Sequence, residues 1–304
     1  MTPQFAPGLR VSAERILQAA HLTPAHAALG TRLVSAARNS VVVNIPWQER
    51  LCAEAASETL ANGVVASLLD HATGLASLVR VAGEGVPAGT MDLRVDYIRQ
   101  PDAREALFAE GECYNVNGRV ARVRGLVWGA RRPQDPIAHC SGTYAVTPGE
   151  GSGNELEVLQ IPQLALGGAQ PDDVACDARA LPLSPYHAFL GLRQSLMEET
   201  SHLPGWSQHV GSYRRQTVHG GVIIAQLEAA ASHHLCSQNG ARRPLALNVT
   251  TEFLRPAPLG EVHARARVLR LGRTIAFVRA EAWQENPDRP IALLHGVFQL
   301  GNPV

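Results

Sequence analysis

Lysine is absent from all 304 residues, so every basic side chain other than histidine is an arginine. A Schiff-base lysine and a phosphate-loop lysine are both excluded. Net charge is missing too: 27 basic and 27 acidic residues cancel. Nothing advertises a nucleic-acid or anionic-membrane partner. The five cysteines (Cys52, Cys113, Cys140, Cys176 and Cys236) show no CxxC spacing, and an odd, scattered set reads as reduced thiols in a cytosolic protein. The N-terminus has no basic segment followed by a long apolar run, and no apolar stretch reads as long enough to span a bilayer. The expectation is a cytoplasmic chain without a membrane partner.

What is present is a repeat. Thr217-Val218-His219-Gly220-Gly221 runs into an apolar, alanine-rich segment whose first acidic residue is Glu228. Such a segment predicts a buried helix. Its glycines permit close approach to the backbone, and its unpaired first N–H groups attract a negative oxygen. A carboxylate two turns into a greasy helix is either paired, or strained and useful. Ala61-Asn62-Gly63, with Asp70 further on, repeats the pattern: Gly63 matches Gly221 and Asp70 matches Glu228, both 158 positions apart (221 − 63 and 228 − 70). The strand-like run 91–99 answers 247–255, Gly118-Arg119 with Trp128 answers Gly272-Arg273 with Trp283, and 138–144 answers 292–298. The repeat is too long for a solenoid and reads as a duplicated domain.

Length and a hydrophobic share of 45% suit two soluble domains. Spacing predicts a short helix within residues 10–30, a strand over 34–45, an ambiguous stretch at 48–60 and a helix over 62–81 ended by Gly83 and Gly85. Strands follow at 90–99, 106–115, 119–130 and 137–146, with Asn117-Gly118 as a hairpin signal. Residues 148–185, rich in glycine and proline, read as a linker. The second half repeats the order: helix 186–199, strand 209–214, helix 219–236, and strands 245–254, 261–269, 274–283 and 291–300. Each half would wrap an antiparallel sheet around one long helix, an α+β arrangement. The expected divisions are 1–147, the linker 148–185, and 186–304.

His219-Gly220-Gly221 with its acid, Asp70 at the same place, and the Asp92-Leu93-Arg94-Val95-Asp96-Tyr97-Ile98-Arg99 strand with its Gly-Arg partner give the chain its family likeness. It resembles tandem hotdog-fold acyl-CoA thioesterases similar to the phenylacetyl-CoA thioesterases. The resemblance covers both halves and leaves out the linker. It implies two hotdog domains packed as a pseudo-dimer, and a site between them. There one domain's helix N-terminus polarises the thioester carbonyl, while the other supplies the carboxylate and a hydroxyl. Carried over by residue, one crossing joins Gly220 and Gly221 to Asp70 and Thr90; the other joins Asn62 and Gly63 to Glu228 and Ala246. The first is the better furnished. His219 is expected to shape the turn or cap the helix. Tyr213 stands where the family often has an amide, with Gln216 nearby, and neither is assigned the water.

The resemblance implies an acyl-CoA substrate, no cofactor and no metal, and a homodimer of the double chain. Asp70 would act as base or as nucleophile; the sequence leaves both open. Several residues carry plainer readings. His71 reads as packing, His233-His234 lacks a third metal ligand, and Arg99 and Arg255 either meet CoA phosphates or end solvated strands. Gly151-Ser152-Gly153 lacks the strand-turn-helix setting of a nucleophile elbow. Two other functions stay open: a hotdog hydratase or dehydratase, whose catalytic loop is not found here, and a non-catalytic acyl-CoA binder.

Overall fold

In the computed structural model, which describes residues 4–5, 23–54, 56–82, 85–148, 184–195, 199–212, 215–238 and 244–301, the two halves follow one order. The first contains β1 (Gln4–Phe5), α1 (Pro24–Leu29), β2 (Arg32–Ala36), β3 (Ser40–Ile45), α2 (Asn62–Val81), β4 (Gly85–Tyr97), β5 (Leu107–Asn117), β6 (Val120–Gly129) and β7 (Pro136–Pro148). The second contains α3 (Pro185–Phe189), β8 (Arg193–Ser195), β9 (Thr200–Leu203), β10 (Val210–Ser212), β11 (Thr217–Val218), α4 (Gly220–Gln238), β12 (Leu245–Phe253), β13 (Val262–Leu271), β14 (Ile275–Trp283) and β15 (Ala292–Gln299). The long helix of each half lies against that half's own strands, the hotdog arrangement.

Thirteen strands form one sheet in the order β1-β2-β3-β5-β6-β7-β4-β12-β15-β14-β13-β9-β8. The sheet is close to a palindrome: β5-β6-β7-β4 on one side of the seam answers β13-β14-β15-β12 on the other. The seam is the antiparallel β4–β12 pair, with Val95 opposite Val249 and Leu93 opposite Thr251. All four of these residues are fully buried. Alternation does the rest. In β15 every second residue is buried, so one sheet face meets the helices and the other meets solvent.

The helices are core elements because they are apolar nearly all round. In α2, 16 of 20 residues are buried. By length and composition this helix could cross a membrane, with a mean hydropathy of 1.3 over an 18-residue window, contrary to the expectation that no stretch is long enough. Its burial, 83% of that window, makes it the core helix of its sheet. The two long helices touch each other through glycine. A Cβ on Gly63 would lie 2.6 Å from Ala225 Cβ, and one on Gly221 would lie 2.4 Å from Ser67 Cα. Ser67 and Ala225 are also 158 positions apart (225 − 67), so the contact is made twice around a pseudo-twofold axis.

Several expectations need correction. The span 34–45 is a hairpin, β2 with β3, because Arg38-Asn39 lets the chain reverse. Within the expected 10–30 span, helix α1 starts at Pro24, which suits the first helical turn, and ends before Gly30. Gly85 opens a strand rather than closing α2. The helix over 186–199 is only α3, five residues long; positive-φ Gly191 (66°) follows and the chain continues as β8 and β9. Of the expected strand over 209–214, Val210–Ser212 is β10, His209 belongs to a 3-10 turn at Ser207–His209, and Tyr213 and Arg214 lie outside the described residues. Most of the linker, Gly151-Ser152-Gly153 and Cys176 included, also lies outside them. The Asn117-Gly118 hairpin is present, with Asn117 paired to Val120 and Gly118 at φ 58°.

Strand β5 crosses α2 at Gly111, where a Cβ would stand 2.3 Å from the Ala72 carbonyl carbon and oxygen. Backbone cannot give way as a flexible side chain can, and overpacking of this kind costs about 3 kcal/mol. Gly111→Ala is expected to lower the urea midpoint accordingly, with the slope unchanged. An unmoved midpoint would show that strand and helix do not meet there.

Candidate active site

The entry to α4 is fixed before the helix begins. Val218 N–H donates to Ala257 O (2.8 Å) and His219 N–H to His209 O (2.8 Å). The His219 carbonyl then accepts from Val222 N–H (3.0 Å) and Ile223 N–H (3.2 Å), starting the helix. Gly220 and Gly221 therefore sit in the first turn, where the helix supplies no acceptor for the N–H groups.

Asp70 of α2 fills that place. Its Oδ2 accepts from Gly221 N–H at 3.1 Å. Its Oδ1 accepts from Thr90 Oγ1 (2.9 Å) and from the Tyr144 hydroxyl (2.8 Å). A Cβ on Gly220 would lie 2.7 Å from Asp70 Oδ2, so only glycine leaves room for the carboxylate. His219 Nε2 stands 3.5 Å from the same oxygen. The structure thus brings Asp70, Gly220, Gly221, His219 and Thr90 to one point between the halves, with Asp70, Gly221 and His219 buried and Gly220 and Thr90 partly so. Burial and the neighbouring Asp70 charge hold the Tyr144 hydroxyl well above its ordinary range, so it stays a donor.

A file of imidazoles stands behind His219. The Gly221 N–H also reaches His219 Nδ1, at 3.0 Å. That nitrogen must be an acceptor, so the proton of the neutral ring is on Nε2. Nε2 lies 2.9 Å from His26 Nε2, which accepts, and His26 Nδ1 then donates to Thr31 Oγ1 at 3.2 Å. Burial lowers the His219 pKa against the opposing pull of Asp70, which keeps the ring neutral and the file intact. His71 stacks on His26 with ring centres 3.4 Å apart and planes 14° from parallel. These three side chains come close enough for a metal ion. Parallel rings, however, aim their nitrogens side by side rather than at one point, and the arrangement works as a hydrogen-bonded support for His219.

The reciprocal crossing is furnished differently. Glu228 Oε1 accepts from the Tyr97 hydroxyl at 2.5 Å. Across the β4–β7 ladder Thr90 faces Tyr144, and across β12–β15 Ala246 faces Phe298. Both hydroxyls of the first crossing are therefore missing from the second. A cavity of about 90 Å³ lies there instead, lined by Ala61, Asn62, Gly63, Glu228, Ala246 and Phe298 among others. Ala61, the residue before α2, offers the helix start no side-chain cap. Burial raises the Glu228 pKa to about 7, with the Tyr97 hydrogen bond pulling the other way.

Sequence reasoning missed Tyr144, Tyr97 and His26. For the tyrosines a signal existed: the repeat places Tyr144 against Phe298 and Tyr97 against Phe253, and a hydroxyl gained or lost between duplicates marks a site that has diverged. His26 lies outside the matched stretches and carried no signal. His71, read as packing, is packed, though against an imidazole. Arg99 is held by Asp135 (3.0 Å) and Asp102 (3.9 Å), and Arg255 donates to Pro290 O at 2.6 Å; both brace loops. Tyr213 lies outside the described residues. Gln216 takes a positive φ of 48° in the β10–β11 turn.

The sequence matches the thioesterase superfamily over residues 58–134 and 215–291, one span in each half. No curated protein matches the chain. Among solved structures, a Novosphingobium aromaticivorans protein is 12% identical with a TM-score of 0.60, over 89% of this chain and 98% of its own. The TesB protein of Mycobacterium avium subsp. paratuberculosis is 10% identical with a TM-score of 0.57, over 96% and 100%. A hot dog fold protein of Alicyclobacillus acidocaldarius is 13% identical with a TM-score of 0.55, over 86% and 94%. At these identities the likeness is one of fold.

Glu228 makes stability depend on pH in an unusual direction for a carboxyl. Between its unfolded value near 4.5 and about 7 the folded state keeps a proton that the unfolded state has released. Stability therefore falls as pH rises through that window, by about 3 kcal/mol in full. Glu228→Gln keeps the acceptor for Tyr97 without the ionisation. It is expected to melt several degrees above the parent at pH 8, with the gap closing at pH 5. A gap that is equal at both values would show that Glu228 does not hold the proton.

Proposed function

The chain belongs to the thioesterase superfamily, and from that premise we propose that it hydrolyses an acyl-CoA thioester to the free acid and CoA at the Asp70 crossing. The observation that carries this reading is the 3.1 Å contact between Asp70 Oδ2 and Gly221 N–H. It sets a carboxylate oxygen and an oxyanion-stabilising donor within one hydrogen bond of each other, on opposite halves of the chain. Such a donor contributes about 3–4 kcal/mol to an acyl-transfer transition state.

In this reading the thioester carbonyl oxygen takes over the Gly221 N–H from Asp70 Oδ2. Thr90 and Tyr144 keep hold of Oδ1, so the carboxylate swings without leaving the site. On the base route, Asp70 accepts a proton from water as the water oxygen bonds to the acyl carbon. The C–S bond then breaks, and the CoA thiolate departs and takes up a proton. On the nucleophilic route Oδ2 itself bonds to the acyl carbon, the thiolate leaves, and water cleaves the mixed anhydride. The His26 file keeps His219 in the tautomer that faces the Gly221 amide.

A second reading is favoured by the cavity beside Glu228 and by a carboxyl titrating near neutrality. In it the reciprocal crossing also turns over thioesters, more slowly for want of the two hydroxyls.

Free-thiol release from a panel of acyl-CoAs tests both readings. Asp70→Asn is expected to lose about 10²-fold or more in kcat, the usual contribution of a positioned base, while Glu228→Gln stays within a few-fold of the parent. An Asp70→Asn enzyme as fast as the parent beside a dead Glu228→Gln would move the chemistry to the other crossing. No thiol release from any acyl-CoA, with enoyl absorbance changing instead, would point to a hydratase; binding alone would point to a carrier. A single turnover in ¹⁸O-water identifies the nucleophilic route when water cleaves the anhydride at the Asp70 carbonyl carbon, because the label then enters the Asp70 carboxylate. The base route, like cleavage at the acyl carbon, puts the label in the product acid.

A further inference from the structure

A second histidine cluster lies near the far edge of the sheet, in the second half of the chain, on β9 and β13. His202 and His263 are directly opposite each other across these antiparallel strands. Their Nδ1 atoms are 3.1 Å apart, their ring centres 4.9 Å apart and their planes at 85°. Glu261, just ahead of β13, places Oε1 3.6 Å from His202 Nδ1. The three can offer one ligand atom each to a common point.

Two geometries compete for this pair. With the nitrogens 3.1 Å apart, rings sharing a straight N–H···N bond would have centres about 5.4 Å apart. Two nitrogens aimed at one ion about 2.05 Å away would have centres roughly 4.8–5.2 Å apart, the upper figure at the tetrahedral angle. At 4.9 Å the two nitrogens lean to one side of the line between them, the sense a shared ion needs and a bent hydrogen bond also allows. The tautomer agrees. His202 Nε2 is 2.9 Å from Thr200 Oγ1. A proton on Nε2, donated to that hydroxyl, leaves Nδ1 bare for a metal, as outer partners of metal-bound imidazoles do. His263 is steadied by Trp283, with ring centres 5.8 Å apart and planes at 25°. The Glu261 side chain is 47% exposed, so the outer side of the cluster is open to water. Arg193 also reaches Glu261 Oε1, at 3.9 Å, and being half exposed it can withdraw.

We propose that His202, His263 and Glu261 form a binding site for a divalent transition-metal ion, zinc or a borderline relative, with water as fourth ligand. Two imidazoles and a carboxylate suit such an ion and suit calcium or magnesium poorly. The ion would clamp β9 to β13 from outside. Gln226 of α4 holds the same pair from inside, donating to Ser201 O (3.2 Å) and Val262 O (2.7 Å). The role is a staple on the sheet edge, separate from the carboxylate crossings.

The test uses the full-length protein stripped with EDTA and titrated with zinc chloride by calorimetry, then with cobalt(II) chloride by visible absorption. One ion per chain, a tetrahedral cobalt spectrum and a melting temperature that rises with zinc are expected. His202→Ala and His263→Ala should each weaken binding at least tenfold while melting with the parent in EDTA. His139→Ala, which changes an exposed imidazole elsewhere, should bind as the parent does. Should the histidine variants melt early even in EDTA, Glu261→Gln decides, since it keeps both strands and imidazoles and should still weaken binding. No zinc uptake by the parent, or uptake that persists in the His202→Ala/His263→Ala double variant or is unmoved by Glu261→Gln, would overturn the proposal.

Discussion

Two central helices pressed together at glycine set the terms for everything else in this molecule. Gly221 rests on Ser67, and Gly63 rests on Ala225. Asp70 lies three residues beyond Ser67, and Glu228 three beyond Ala225, so each acid projects from the face that receives the other helix. A larger residue at either glycine would part the helices and take the backbone N–H away from the carboxylate. The close approach and the candidate site are one geometric fact.

The two crossings share this frame and differ in what surrounds the acid. Asp70 is held by a backbone amide and two hydroxyls. Glu228 has one phenolic donor and a cavity where the hydroxyls would be. A buried carboxyl with few donors favours its neutral form. Burial with one donor is why Glu228 is shifted to about 7. Phe253 faces the first crossing, close to Gly220, where Tyr97 faces the second. The tyrosine has changed places rather than disappeared.

Much of this was legible in the residues. The 158-residue offset gave the duplication and the matched placement of both acids, while the crossing of the halves was implied by the family resemblance. Both long helices and the eight main strands lay close to their expected spans, because apolar periodicity survives when one face is buried. What escaped was local. The 34–45 hairpin hid because valine-rich segments read alike on either side of a tight turn. The 186–199 segment reads as a helix because its breaks fall at single residues such as Gly191. The His202–His263 cluster joins strands some sixty positions apart, and cross-strand register is not written in either strand alone. His26 pairs with a residue 193 positions away, outside the repeated stretches.

The β4–β12 seam has a further consequence. Two identical subunits meeting on a twofold axis receive every substitution in duplicate, so a change that improves one catalytic centre is imposed on the other. Here the partners are stitched into one sheet within one polypeptide, and a change in either half is felt at one centre alone. Thr90 and Tyr144 can then stand at one end while Ala246 and Phe298 stand at the other. The covalent joint releases the two ends from exact twofold symmetry and leaves each free to follow its own selective history.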